Sequence, residues 1–153
     1  MTTGRAPTRA ASGRPGRRQP PPSKKRPAVL LVDRESDATN TLIAFLRDQG
    51  FGVVWSRDSE GGHNALDSTR VDCLVTELRA PRIDGLDLLR RARERNPEVC
   101  AVLVTEGHAP GKAVEAMRLG AADLQVKPLD HEKLLAALRR GLQRGISLIV
   151  VEV

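Results

Sequence analysis

Aromatic residues are nearly missing from this chain: two phenylalanines, one tryptophan and no tyrosine in 153 residues. The folded body offers only Trp55 as a large flat ring, which disfavours a flavin binder. So does the lack of a Gly-rich run that could cradle phosphates. Residues 1–27 contain no aromatic at all, so stacking on single-stranded nucleic acid is not supported. Long apolar runs are missing too. None reaches the ~18 residues of a membrane span. Arg17-Arg18 has no hydrophobic segment behind it, which argues against a secretory or twin-arginine signal. The two cysteines, Cys73 and Cys100, fall in predicted buried strands and read as small hydrophobes in a reducing compartment. His63, His108 and His131 are scattered without metal-ligand spacing, and no metal site is expected.

Charge is plentiful but unevenly placed. Residues 1–27 hold eight of the 25 Lys and Arg and none of the 19 Asp and Glu. The remainder therefore has 17 basic against 19 acidic residues, and the formal +6 belongs to the N-terminal tail. That tail is rich in Pro, Gly, Ser, Thr and Arg with little to bury, and is expected to be disordered. Its cations suit a polyanion or nucleic acid partner, or simply a solvated leader.

From Ala28 onward the pattern alternates. Ala28–Val32 is a continuous apolar run, as expected of a strand buried on both faces. Ser36 or Asp37 can cap a helix whose stripe runs Ala38, Leu42, Phe45, Leu46 and Gln49, with Ile43 beside it. Phe51–Trp55 is a second strand, and Ser59–Leu66 a weak helix because of Gly61-Gly62. Cys73–Thr76 is a third strand, and Pro81 is expected to stop regular structure beyond it. Asp84 caps a helix with Leu86, Leu89 and Ala92 on its buried face. Val99–Val104, Lys112–Leu119 and Ala122–Val126 supply strand, helix and strand. Leu134, Leu135, Leu138 and Leu142 mark a last helix ending at Gly145. Residues 146–153, ISLIVVEV, are apolar and β-prone, and read as an edge-pairing segment outside the 28–145 domain.

Five β-α units of this kind specify a flavodoxin-like, doubly wound α/β fold with parallel strand order 2-1-3-4-5. Ligands bind at the carboxyl ends of such strands. There the chain places Asp33 and Arg34 after the first strand, Glu77 after the third, Thr105 after the fourth and Lys127 after the fifth.

The motifs LLVDRES, ELRAPRIDG, VLVTEG and GAADLQVKPLD stand in that order at those strand ends. Together they resemble the receiver domain of bacterial two-component response regulators, and the later motifs are similar to receivers of nitrogen-regulation-type activators. The resemblance spans about residues 28–144. It implies a cytoplasmic signalling module, not an enzyme, with a histidine kinase or other signalling protein as partner. It also implies a strand-3 Asp that accepts a phosphoryl group and two acids after strand 1 that, with a backbone carbonyl, hold Mg²⁺. A Thr and a Lys meet the phosphoryl oxygens, and a switching aromatic on strand 5 signals through the face of helix 4, strand 5 and helix 5.

Against that pattern, Glu77 stands at the acceptor position and Arg34 replaces one acid of the pair, beside Asp33. Arg79 occupies the carbonyl position and Leu124 the place of the aromatic, while Thr105 and Lys127 fit. With Arg34 and Lys127 both turned inward, the pocket would be formally neutral, and Mg²⁺ binding is expected to be weak or absent. The extra methylene of Glu77 moves its carboxylate about 1.5 Å outward, a misplacement that can cost ~10²-fold in rate. The expectation is a stand-alone pseudo-receiver with a structural Arg34–Lys127–Glu77 cluster. Pairing would hold the Glu77 carboxyl below the usual carboxylate range. A conventional phospho-receiver using Glu77 and a polyanion binder using the tail are the alternatives. Beyond the receiver motifs, no helix-turn-helix or ATPase pattern is recognisable as an output domain.

Overall fold

The computed structural model describes residues 26–107 and 110–152; for Pro110 and residues 144–152 it describes the backbone alone. Expectations for residues 1–25, for His108 and for Val153 lie outside the described residues.

Among the described residues, five strands of one sheet alternate with five helices. They are β1 (Ala28–Val32), α1 (Asp37–Asp48), β2 (Gly52–Ser56), α2 (Ser59–Ser68) and β3 (Cys73–Glu77). The chain continues through α3 (Gly85–Arg95), β4 (Cys100–Thr105), α4 (Pro110–Arg118), β5 (Asp123–Val126) and α5 (His131–Glu152). The sheet is parallel, in the order β2-β1-β3-β4-β5, as the alternation of elements requires.

β1 and β3 are buried along their whole length because helices cover both faces of the sheet. Successive side chains serve opposite cores. Val29 and Leu31 pack with Val75, Val102, Leu134 and Leu138 on the side of α1 and α5. Leu30 and Val32 pack with Leu74, Leu88, Leu89 and Leu103 on the side of α2, α3 and α4. Cys73 and Cys100 stand opposite each other across β3 and β4, reduced and buried in the first core. Their hydrogen bond, and then burial, pushes the Cys73 thiol far up, so that sulfur is not poised to react.

Helix starts follow the capping rules. Ser36 accepts from the Thr39 amide at 3.1 Å, and Asp84 from the Asp87 amide at 3.1 Å. The α1 stripe begins one residue later than expected. Thr39 is buried and Ala38 exposed, because the Thr39 hydroxyl donates to the Arg34 carbonyl at 2.8 Å. The costly Gly62 in α2 has a packing reason: a Cβ there would lie 2.9 Å from Leu88 and 3.2 Å from Val32.

Two expectations are corrected. Pro81 does not end regular structure. It turns a small antiparallel hairpin, Arg79–Ala80 with Ile83–Asp84. Residues 146–152 are not a strand. α5 runs through Gly145 to Glu152. Continuing a helix adds one backbone hydrogen bond per residue, whereas a new strand needs a partner edge, and one glycine costs only about 1 kcal/mol.

Candidate functional site

The carboxyl ends of β1, β3, β4 and β5 meet at one edge of the sheet. Glu77 ends β3 and is only 2 % exposed. Its loop is held tightly. A Cβ on Gly85 would stand 2.4 Å from the Glu77 carbonyl oxygen, so α3 can start there only at glycine. The hairpin turn at Arg82 has φ 67°, a left-handed conformation that costs a side-chain-bearing residue of order 1 kcal/mol. Its carbonyl accepts from the Ser59 amide at 2.8 Å, and its guanidinium meets Asp58 at 3.2 Å. Those bonds tie the β3–α3 loop to the start of α2.

Lys127 follows β5, before a cis peptide to Pro128. Its Nζ donates to Glu77 Oε1 at 2.7 Å and lies 2.8 Å from Asp33 Oδ2. Asp33 is itself nearly buried. Its other oxygen accepts from the Arg34 amide at 2.8 Å, and its carbonyl accepts from the Trp55 indole at 2.9 Å. The Arg57 guanidinium lies 6.0 Å from the Trp55 ring centre. The pocket is thus one ammonium between two carboxylates.

Arg34 is not in that cluster, which corrects the expected Arg34–Lys127–Glu77 arrangement. Its side chain is 58 % exposed and pairs with Glu106 in the loop after β4. A guanidinium retains most of its hydration by staying at the rim, while the buried position goes to the ammonium on the opposite strand end. The pocket charge is therefore not zero. Asp33 and Glu77 against Lys127 leave a formal −1.

The titration behaviour is corrected with it. Burial first, and the neighbouring Asp33 second, push the Glu77 carboxyl above the usual carboxylate range, and Lys127 only partly offsets them. For Lys127, burial works against the charge, but the hydrogen bonds it donates to Asp33 and Glu77 outweigh it and the ammonium is held above its ordinary value. The two directions agree. One cation is doubly served, and two carboxylates share it.

The remaining predicted residues are placed separately. Thr105 spends its hydroxyl on its own turn, donating to the Gly107 carbonyl at 3.0 Å and accepting from the Gly107 amide at 3.3 Å. Leu124 packs partly buried against the α2–α4 core. Arg79 is exposed on the hairpin. Glu106 was missed by sequence reasoning. Its carboxylate, paired to Arg34, also stands 3.9 Å from Lys127 Nζ. The signal was an acid directly after a strand-end threonine.

The ammonium already occupies the space between Asp33 and Glu77. Among the described residues no group of three or more His, Cys, Asp or Glu is placed to hold a metal.

Comparison with known proteins decides the family. The response regulator receiver domain pattern matches residues 29–139. The chain belongs to the response regulator receiver domain family. This receiver is 35 % identical over 118 residues to the transcriptional regulatory protein FixJ of Azorhizobium caulinodans, covering 76 % of this chain and 56 % of that protein. It is 29 % identical over 117 residues to the nitrogen assimilation regulatory protein NtrX of the same organism, covering 75 % and 26 %. The second relative agrees with the likeness to nitrogen-regulation-type receivers. The chain spans about half the length of FixJ and a quarter of NtrX. Among solved structures, the signal receiver domain of an HD domain-containing protein from Pseudomonas fluorescens superposes with TM-score 0.72 at 28 % identity, covering 80 % of this chain and 98 % of that one. Among the described residues no helix is long and apolar enough to cross a membrane.

Proposed function

We propose that this receiver is a protein-interaction module of two-component signalling whose pocket carries its own counter-cation and is not phosphorylated by the usual aspartate chemistry. The observation that carries the reading is Lys127 Nζ, 2.7 Å from Glu77 and 2.8 Å from Asp33, with Glu77 at the acceptor position and Arg34 turned to the rim. Acyl-phosphate formation needs a carboxylate free to attack in line and a metal to offset the gathering charge. Here the carboxylate is buried against an ammonium, and the second acid of a metal pair is an arginine. Mg²⁺ binding is expected to be weak or absent for the same reason, although the pocket's formal −1 is less unfavourable than neutrality.

A signalling role is supported by the relatives, which are named as regulatory proteins of transcription and nitrogen assimilation. A histidine kinase or another signalling protein is the partner class. The face of α4, β5 and α5 suits such a partner because Val114, Met117 and Val126 are more than half exposed there. Arg139, also exposed, reaches the other way and donates to Gln49 at the end of α1 at 3.3 Å. Arg140 is exposed as well, but the apolar trio is the sharper probe of this face.

The test is incubation with acetyl phosphate and Mg²⁺, read by intact mass and by amide resonances around Glu77. No phosphoryl adduct and no saturable Mg²⁺ shift are expected. Labelled Glu77 would establish the conventional phospho-receiver instead.

A further inference from the structure

Five charged groups form a continuous chain over the pocket. Asp33 and Glu77 hold Lys127 from inside at 2.8 and 2.7 Å. Outside, Glu106 Oε2 stands 3.9 Å from the same Nζ, and that same oxygen meets Arg34 Nη2. The outer pair joins two separate loops, one after β1 and one after β4. Both ends are anchored. The Arg34 amide donates to Asp33 Oδ1 and its carbonyl accepts from the Thr39 hydroxyl, each at 2.8 Å. Glu106 follows Thr105, whose hydroxyl is bonded within its own turn. Yet both outer side chains are more than half exposed, at 58 % and 56 %, while Lys127 beneath them is 24 % exposed. The pair thus lies over the ammonium and is itself within reach of solvent and partners.

We propose that Arg34 and Glu106 form a latch across the mouth of the Glu77 pocket, opened when a carboxylate or phosphate group of a partner takes Arg34. It rests on the reading that Lys127 is the pocket's own cation. Three carboxylates and two cations meet there, so Glu106 has two positive neighbours to choose between. Arg34 holds it at the rim, 3.9 Å from Lys127. An external anion on Arg34 releases Glu106 to water, and that motion uncovers the pocket. An exposed ion pair is weak enough to be exchanged in this way.

The experiment measures the rate at which a small acylating reagent labels the Lys127 amine, by peptide mass spectrometry on the full chain. Arg34→Ala and Glu106→Gln are each expected to speed labelling roughly two- to fivefold, the change that one exposed pair supports. Lys112 and Lys133 serve as internal references. Arg90→Ala, which breaks the comparably exposed Arg90–Glu115 pair at 3.2 Å, is expected to change nothing at Lys127. Inorganic phosphate and an acidic peptide, titrated separately, are expected to speed Lys127 labelling in the wild type and not in Arg34→Ala. Unchanged rates in both rim variants, or an equal rise in Arg90→Ala, overturn the latch. Anions without effect on a wild type whose rim variants do respond overturn its release by a partner. An acetyl phosphate arm on the same samples is separate: a phosphorylated wild type overturns the counter-cation reading, whatever the amine rates.

Discussion

Two sets of ion pairs in this receiver have similar contact lengths and opposite surroundings. At the carboxyl edge of the sheet, Lys127 meets Glu77 and Asp33 at 2.7 and 2.8 Å, with Glu77 2 % exposed. Along α2 and α3, Arg91 meets the two carboxylate oxygens of Asp67 at 3.0 and 3.1 Å, with side chains 40 % and 43 % exposed. Geometry alone cannot rank them. In the exposed ladder water competes for every group, and each pair can open at little cost. In the pocket the charges have lost their hydration, so each depends on its neighbours. The pocket also has one carboxylate too many, whereas the Asp67–Arg91 pair matches charge for charge. That is why the Glu77 carboxyl is raised, by burial and then Asp33, while the Asp67 carboxyl is lowered by its hydrogen bond from Arg91.

The largest effect that would sharpen this contrast is loss of the shared cation. Lys127→Met leaves two carboxylates facing each other in a buried site, and should cost about 3–5 kcal/mol in urea unfolding at neutral pH. Because the Lys127 ammonium is held above its ordinary value, its contribution is fully present below the unfolded lysine value of about 10.4. It fades as pH rises through the higher folded value. A Lys127→Met variant as stable as the wild type would erase the distinction between pocket and ladder.

A smaller effect, which follows from a Glu77 carboxyl raised rather than lowered, concerns Glu77→Gln. The folded value of Glu77 lies above its unfolded value of about 4.3. Its charge therefore weakens the fold at pH above both values, and that penalty disappears as pH falls below the unfolded value. The substitution removes carboxylate repulsion but also a charge-assisted hydrogen bond, itself worth about 1.5–3 kcal/mol. At pH 7 the net change should be near zero or stabilising, and it should move toward destabilisation as the pH is lowered to 4. A large loss of stability at pH 7 would mean that the carboxylate pair is better compensated than its surroundings imply. Gain of stability does not by itself make Glu77 a phosphoryl acceptor; the acetyl phosphate measurement decides that.

A third variant probes the partner face. Met117→Glu with Val126→Glu should leave the unfolding midpoint within error and weaken any kinase or effector contact at least tenfold, measured by titration with the isolated partner. Binding unaffected by both charges would move the interface elsewhere. The smallest effect belongs to the ladder: Arg91→Ala should barely shift the midpoint at low salt and not at all in 1 M salt, where the Debye length is ~3 Å.

The sheet was legible in the sequence because most of its strands are short apolar runs between charged or glycine-containing ends. A run such as Val29–Val32 has few ways to be buried other than between two helix layers. Asp33, Glu77 and Lys127 were legible as a set because the topology brings strand ends together whatever the side chains do. Their orientations were not. Arg34 sits beside Asp33 in the chain, yet adjacent residues leave a strand end in different directions, and burial favoured the cation from β5. Glu106 was not legible because its role depends on which way a loop carboxylate turns, toward Arg34 on another loop, and no local pattern fixes that. The continuation of α5 through Gly145 was illegible for another reason. The β preference of Ile and Val depends on finding a partner strand, which no local pattern can reveal.

The indole of Trp55 donates to the Asp33 carbonyl at 2.9 Å, and it is the single tryptophan of the chain. The protein therefore contains an unlabelled optical probe wired to the β1 end of the pocket. Emission from one ring, with no second tryptophan to dilute it, will follow any movement of the Asp33 loop. Such a change can be timed by stopped flow on unmodified protein. A kinase that merely docks on α4 and β5 should leave that signal flat, whereas one that disturbs the Asp33 loop should not.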